Sequence, residues 1–482
     1  MSERSFYLIT DTHYFKNSLG ATGRGYDKLM RYEQKCFAET QAINESVFEY
    51  LGNSEETDTV LIAGDLSFNG EKESHLEFIK LLRELQNKGK RVFVITAGHD
   101  FNDRPFAYEG DKKISLTQKA ELFDNSYDCG TTFVDDGCIK KRPEGTKRDE
   151  LFDLYYDFGF KQAIAVDRKH LSYVVQLFDG VRLLALNNDG DCDEFITYDD
   201  EQLNWIKEQA EKAKEDGQMM FAMNHYPLLP GQPLFGLIPT AVQQNSDKIT
   251  DMLADLGVHL VFTGHMHNQS INEKITAAGN KFYDVCTGSV IACPAYMRFV
   301  TIKDESTVDI KSIPTPDFEW DTQGKSCKKY LSDLFDSMIL NILDDMKTNP
   351  KVVLKKFGVQ NAKKLYPVVE LVGKVFSVLT VGKACRLLRV KCSPEIKDML
   401  VKNYVAELVR GVFEGNQTFK EGTPKGDVFL GVLDRINPIL KKVQLKDING
   451  QPVDLYDTLK NTAGNYGIDD YNACLLYTSD AA

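Results

Sequence analysis

Short apolar runs alternate with longer segments of helical period through the first two thirds of the chain. Residues 6–10 form an apolar run of strand length, and 33–51 carry apolar residues at Phe37, Ile43, Val47 and Leu51, a spacing that predicts a helix. Strands are predicted over 59–63 and 91–97, with a second helix over 72–88 between them. The runs 171–178 and 181–187 are separated only by Asp179-Gly180 and read as a β-hairpin. A helix over 200–213 contains Leu203, Trp205 and Ile206, and further strands are predicted over 219–223, 259–263, 281–285 and 299–302. Helices interleaved with strands, followed by a strand-rich stretch, predict an α/β domain with an antiparallel contribution.

Two regions break this rhythm. Between 100 and 169 the periodicity weakens, and Asp103-Arg104-Pro105 and the polar stretch 140–148 suggest a lid or rim over a core built elsewhere. After about residue 313, Pro314-Thr315-Pro316 opens a linker, and helical patterns follow over 330–346, 365–379, 394–413 and 428–440. The expected organisation is an α/β domain over 1–315 and an all-α domain over 326–473. The last nine residues, 474–482, read CLLYTSDAA, resemble a translated sequencing adapter, and are set aside as a non-native tail that truncates the native C-terminus.

Composition narrows the class without naming it. The 482 residues are 42% hydrophobic and 27% charged, ordinary for a soluble globular protein. The net charge of −13 argues against general nucleic-acid binding, which needs basic clusters. The apolar run at 6–9 is too short for a secretory core, and the best membrane-span candidate, 367–388, contains Glu370, Lys374, Lys383 and Arg386. Ten cysteines without CxxC spacing read as reduced thiols of a cytoplasmic protein. The stretch 351–401 holds eleven Lys and Arg against three acids, 11 − 3 = +8. Its charges are interspersed, so a solvated helical face is favoured over a membrane contact. Oligomeric state leaves no mark on the sequence.

The chemistry-bearing residues collect where predicted strands end. These are Asp11-Thr12-His13, Gly64-Asp65, Gly98-His99-Asp100, Asn224-His225 and Gly264-His265-Met266-His267. Of eight histidines, five stand at these points, the others being His75, His170 and His259. Any one piece is more often a turn or a satisfied core histidine. In succession, at the strand ends where α/β sheets gather their sites, Asp and His make a ligand set for catalytic divalent metals.

The order D-x-H, G-D, G-N-H-[DE], H, G-H-x-H resembles that of the calcineurin-like metallophosphoesterases, here in their bacterial form, over about 6–313. The run Gln202-Leu203-Asn204-Trp205-Ile206 resembles that family's helix before the strand carrying the lone His. The resemblance implies a β-sandwich flanked by helices and a hydrolase acting on a small phosphate mono- or diester. It implies two divalent metal ions (manganese, iron, zinc or similar), with Asp11, His13 and His267 on the first, Asp65 bridging, and His225 and His265 on the second. A hydroxide shared by the two metals would be the nucleophile, and His99 the general acid or electrostatic partner. One position departs: the family's Asn ligand falls on Gly98, which leaves the second site weak unless Asn102, Asp103, water or substrate completes it. Gly98 is also the support for the alternative, a degenerate binding or scaffold protein of the same fold.

Overall fold

The computed structural model describes residues 4–108, 142–188, 197–238, 240–356, 363–415, 419–443, 445–447, 450–463 and 468–476. Two sheets carry the α/β part. The strands are β1 (Arg4–Ile9), β2 (Thr59–Ala63), β3 (Arg91–Ile95), β4 (Ala165–Asp167), β5 (Ser172–Phe178), β6 (Val181–Ala185), β7 (Met219–Met223) and β8 (Val258–Thr263). They continue with β9 (Ser270–Ile275), β10 (Lys281–Cys286), β11 (Tyr296–Ile302) and β12 (Thr307–Pro314). A two-residue pair, β13 (Leu445–Lys446) and β14 (Pro452–Val453), precedes β15 (Asn472–Leu476). One sheet runs β15-β12-β11-β1-β2-β3 and the other β4-β5-β6-β7-β8-β10-β9.

The sheets face each other across a core in which Phe6 of β1 stacks on Phe221 of β7 at 5.4 Å and meets Phe262 of β8 edge-on at 5.5 Å. Such aromatic pairs add packing specificity to the apolar area they bury. The helices Thr40–Asn53 and Lys72–Asn87 supply Ile43, Val47, Leu51, Phe78 and Leu82 to this core. On the second sheet, Ile206 and Ala210 of helix Asp200–Glu215 and Ile249 and Leu253 of helix Ser246–Asp255 pack with Leu184, Ala222 and Val261. This β-sandwich flanked by helices is the fold class that the family resemblance implies, and its mixed α/β build is the one the apolar pattern predicts. β1, β2 and β3 pair in parallel, as do β6, β7 and β8. Strands covered on both faces have no polar side to show, so Thr59–Ala63 is buried throughout.

Local chemistry moved several boundaries. The helix predicted from 33 begins at Thr40. The Glu33 carboxylate accepts the amides of Gln34 and Lys35, and the Cys36 amide goes to the Ile291 carbonyl, so these donors are spent outside a helix. The expected rim over 100–169 is partly core: Leu151, Tyr155 and Phe158 lie in the main apolar cluster. The central part of that span, 109–141, lies outside the described residues. In the helical region, 394–400 turns back, with Val381 donating to Met399 O and Gly382 to Lys397 O, and only Val401–Glu414 is helix. Its helices Cys327–Thr348, Tyr366–Val378 and Pro424–Leu440 follow the predicted pattern, and β13–β14 is a small departure from an all-α build. The exposed side of Tyr366–Val378 shows Val368, Leu371, Val375 and Val378 beside Lys374, so that face is mixed and not purely charged.

After the helices the chain returns to the sandwich. β15 pairs antiparallel with β12, and Leu475 is buried. Residues 474–476, set aside on sequence grounds, therefore sit at a sheet edge; edge pairing runs through the main chain, which any sequence supplies. Residues 477–482 lie outside the described residues. No helix among the described residues is long and apolar enough to cross a membrane.

His75 ties the fold to the loop after β3. Its Nδ1 lies 2.6 Å from the Tyr155 hydroxyl and its Nε2 2.8 Å from the Asp100 carbonyl. Burial pushes its pKa down to about 4. Unfolded histidine titrates near 6.5, so the folded protein binds fewer protons between about pH 6.5 and 4, and stability falls as pH drops through that window. His75→Gln should flatten this acid limb by up to about 1.4 kcal/mol per pH unit. Thermal melts from pH 8 to 4 check this; an acid limb as steep as in the unmodified protein would exclude His75 as a contributor.

Candidate metal centre

Parallel strands in both sheets bring their C-terminal ends to one edge of the sandwich. The loop after β1 carries Asp11 and His13, that after β2 Asp65, that after β3 His99, that after β7 His225, and that after β8 His265 and His267. Main-chain bonds stitch these loops together: Asp11 N to Gly64 O, His13 N to Asp65 O, and Gly264 N to His225 O. Two glycines are needed for the close approach. A Cβ on Gly264 would meet Thr10 Oγ1 at 2.1 Å and Asp11 Oδ2 at 2.4 Å. Gly64 has φ +89°, and a Cβ there would press on the His225 ring at 2.8 Å.

Asp11, His13, Asp65, His265 and His267 all adopt positive φ, between 37° and 65°. This left-handed backbone is uncommon outside glycine and costs roughly 1–3 kcal/mol per residue, a strain that collects at functional sites.

Each carboxylate is held by one oxygen and presents the other. Asp11 Oδ2 accepts from Thr10 Oγ1 at 2.7 Å and from His265 N at 3.0 Å. Its Oδ1 is buried without a hydrogen bond, 3.2 Å from His267 Nε2 and 3.6 Å from His13 Nε2. Asp65 Oδ1 accepts from His99 N at 3.0 Å, while Oδ2 lies 3.1 Å from His225 Nε2 and 3.6 Å from His13 Nε2. His225 Nδ1 donates to Ala63 O at 2.8 Å, and His265 Nε2 to Thr240 O at 2.8 Å, which fixes both rings and leaves the opposite nitrogen for a cation. The Nε2 atoms of His13 and His267 approach to 3.1 Å.

These separations fit metal ions. Ligands at right angles around an ion roughly 2.0–2.2 Å away lie about 3 Å from one another. Asp11 Oδ1 and His225 Nε2 are buried polar atoms with no hydrogen-bond partner, as unfilled ligands would be. Three groupings could each hold an ion: Asp11, His13 and His267; His13, Asp65 and His99; and Asp65, His225 and His265. Asp65 belongs to two of them.

With only protein charges to balance, the centre is polarised. Burial disfavours the charged form of every group. Asp11 nevertheless stays well below the usual carboxylate range because His267 and His225 face it. Burial lowers His225, but Asp65 and Asp11 outweigh this and push it up to about 10. His265 falls to about 4 through burial and the charge of His225.

A sequence model of the calcineurin-like phosphoesterase family matches residues 4–269. The chain belongs to the calcineurin-like phosphoesterases. Among solved structures it is similar to a dimetal phosphatase from Danio rerio (12% identity, 64% of this chain and 95% of that one, TM-score 0.39). It is also similar to a purple acid phosphatase from yellow lupin seeds (12% identity, 65% and 52%, TM-score 0.41) and a 5′-nucleotidase precursor from Thermus thermophilus (11% identity, 65% and 54%, TM-score 0.31). This chain spans only about half the length of the latter two. No curated protein matches its sequence. As a member of this family the chain is a phosphate-ester hydrolase, with His and Asp clusters that could bind its metals.

The structure brings together all seven residues singled out from the sequence. Gly98 opens a single 3₁₀ turn, Gly98–Asp100, with φ outside the left-handed region, so the backbone there does not demand glycine. Neither proposed replacement joins the cluster. The Asn102 amide oxygen takes the Arg104 amide at 2.8 Å, and Asp103 falls in none of the ion-holding groups among the described residues. Sequence reasoning missed Thr10 and Phe68, whose hydroxyl and carbonyl orient Asp11 and His99. No motif marks them; adjacency to a ligand was the available signal for Thr10.

Two outcomes are expected. Asp65→Asn should lower turnover more than any other single ligand change, because Asp65 is the carboxylate that two of the groupings share; near-normal activity at saturating manganese would contradict this. Gly98→Asn should tighten the weaker of two metal transitions roughly tenfold, the scale of one neutral ligand worth about 1–2 kcal/mol. A manganese titration of activity reads it, and two equally tight metals in the unmodified protein would mean that no ligand is missing.

Proposed function

We propose that the chain hydrolyses a small phosphate mono- or diester with water at two divalent metals. Asp11, His13 and His267 would hold one, His225 and His265 the other, and Asp65 both. The observation that carries this is the pair of half-anchored carboxylates, each with its second oxygen among imidazole nitrogens. Bound there, the metals would neutralise charge on the phosphoryl group and make water nucleophilic at neutral pH.

The remaining work falls to protein groups. His99 donates through Nδ1 to Phe68 O at 2.9 Å, which leaves Nε2 with a bare lone pair. Burial, reinforced by the charge of Lys35, pushes His99 down to about 4. Alone it is neutral; an anionic substrate beside it would favour its protonated form, ready to pass a proton to a leaving alkoxide. A group kept for proton transfer supports an enzyme over a scaffold. The seven described free thiols suit a cytoplasmic setting.

A panel of aryl phosphate, nucleoside monophosphate and aryl phosphodiester, assayed with manganese, iron and zinc, tests the reading; no turnover with any pair would sink it. His99→Ala should retain full metal content but slow hydrolysis by roughly 10²-fold, the usual scale of general acid catalysis. The loss should shrink for nitrophenyl esters, whose leaving group needs no proton. Equal losses for good and poor leaving groups would remove His99 from the proton-transfer role, and lost metal would make it a ligand.

A further inference from the structure

The cluster has a cation that no motif marks. Lys35 lies in the non-helical loop before Thr40 and is 8% exposed. Its Nζ sits over the Phe68 ring, 4.6 Å from the centroid. Phe68 forms a wall of the metal centre: its ring meets that of His13 edge-on at 6.0 Å, and its carbonyl holds His99. The His13 and His99 rings are 4.8 Å apart. Lys35 thus stands against the same wall, and its charge reaches both imidazoles.

Among the described residues no carboxylate lies within ion-pair distance of this ammonium, and its contact is the aromatic face. Glu71 lies within electrostatic range, but burial pushes its pKa up to about 7, and its Oε2 accepts the Asn69 amide. The Lys35 side chain is mostly buried, and a cation–π contact holds its ammonium without neutralising it. The position is nevertheless enforced. Glu33 takes the Lys35 amide, the Cys36 amide is tied to Ile291 O, and Ser289 Oγ in that neighbouring loop donates to Asp11 O. The loop holding Lys35 is therefore indirectly fastened to a candidate metal ligand.

We propose that Lys35 is a substrate-binding residue whose ammonium takes a non-bridging oxygen of the phosphate ester at the metal centre. This rests on the phosphoesterase reading above. The substrate supplies the anion that the protein withholds. Where Gly98 removes a ligand from one metal position, Lys35 contributes a positive charge that does not depend on metal occupancy. A lysine suits this place because it acts on phosphate as a compact point charge.

Calorimetric titration of inorganic phosphate into the manganese-loaded full chain tests it without turnover. Lys35→Met should weaken phosphate roughly 10- to 100-fold, the range of a hydrogen bond between charged groups, and raise KM for an aryl phosphate more than it lowers kcat. Manganese content and melting temperature should stay unchanged, and Lys35→Arg should recover most of the affinity. A folded, metal-loaded Lys35→Met that binds phosphate like the unmodified protein would overturn the proposal. A second measurement needs no variant: phosphate should protect Lys35 from an amine-reactive anhydride, read by peptide mass, and equal labelling with and without phosphate would likewise overturn it. Phosphate held through Lys35 in a protein that cleaves no ester would refute the hydrolase reading and leave this one standing.

Discussion

Asp11 and Asp65 set the terms for the rest of the centre. Both are buried carboxylates, and each is fixed through one oxygen by an amide from another ligand-bearing loop: His265 N for Asp11, His99 N for Asp65. The free oxygens then have nowhere to go but into a group of imidazoles. Two buried negative charges in one cluster are unfavourable unless cationic groups face them. The fold answers with left-handed backbone at five ligand positions and with close approaches that only glycine permits at 64 and 264. Strain of this kind persists where surrounding structure over-determines it, and the parallel strands β1, β2, β7 and β8 do so.

The motif residues were legible because they obey two simple rules at once. Each lies at the end of an apolar run, and Asp65, His99 and His265 each follow a glycine. The strands were legible because buried parallel strands leave continuous apolar segments such as Thr59–Ala63, whereas their stacking into a sandwich was implied only by the family resemblance. What escaped depended on contacts between distant segments. The start of the first long helix was set by Ile291 O and Glu33, not by periodicity. Ser270–Ile275 alternates half-buried and exposed positions at its outer end, and its polar half hid it. Tyr155 and Phe158 enter the core from short single-turn elements that carry no period. Lys35 was invisible for the same reason: nothing local distinguishes a buried lysine from a solvated one.

The helical region is not a remote appendage. Phe413, near the end of Val401–Glu414, packs between Phe235 and Phe335, and Met266, the residue between His265 and His267, packs against the same small apolar cluster. Its carbonyl accepts the Gln269 amide just after that motif. Farther on, Asp470 accepts the Ile271 amide, and its carbonyl takes a nitrogen of Arg298, a fully buried guanidinium that also bonds Cys286 O. The loop carrying two candidate metal ligands is thus clamped between its own sheet and the helices. Its position depends on segments nearly two hundred residues away in sequence.

That dependence separates two kinds of information in the chain. Ligand identity is written locally, in short motifs that survive wherever strands end beside one another. The electrostatic setting is written globally. His99 lies beside the buried Lys35 because a loop is pinned by Ile291, and His265 points its Nε2 at Thr240 because the segment after Pro233–Leu237 lies across it. A glycine at position 98 alters the first kind without disturbing the second: the 3₁₀ turn persists, Asp100 still caps it through Ala97 N, and Asp65 still receives His99 N. The turn at position 98 is therefore a frame held by its own hydrogen bonds, whatever side chain that position carries.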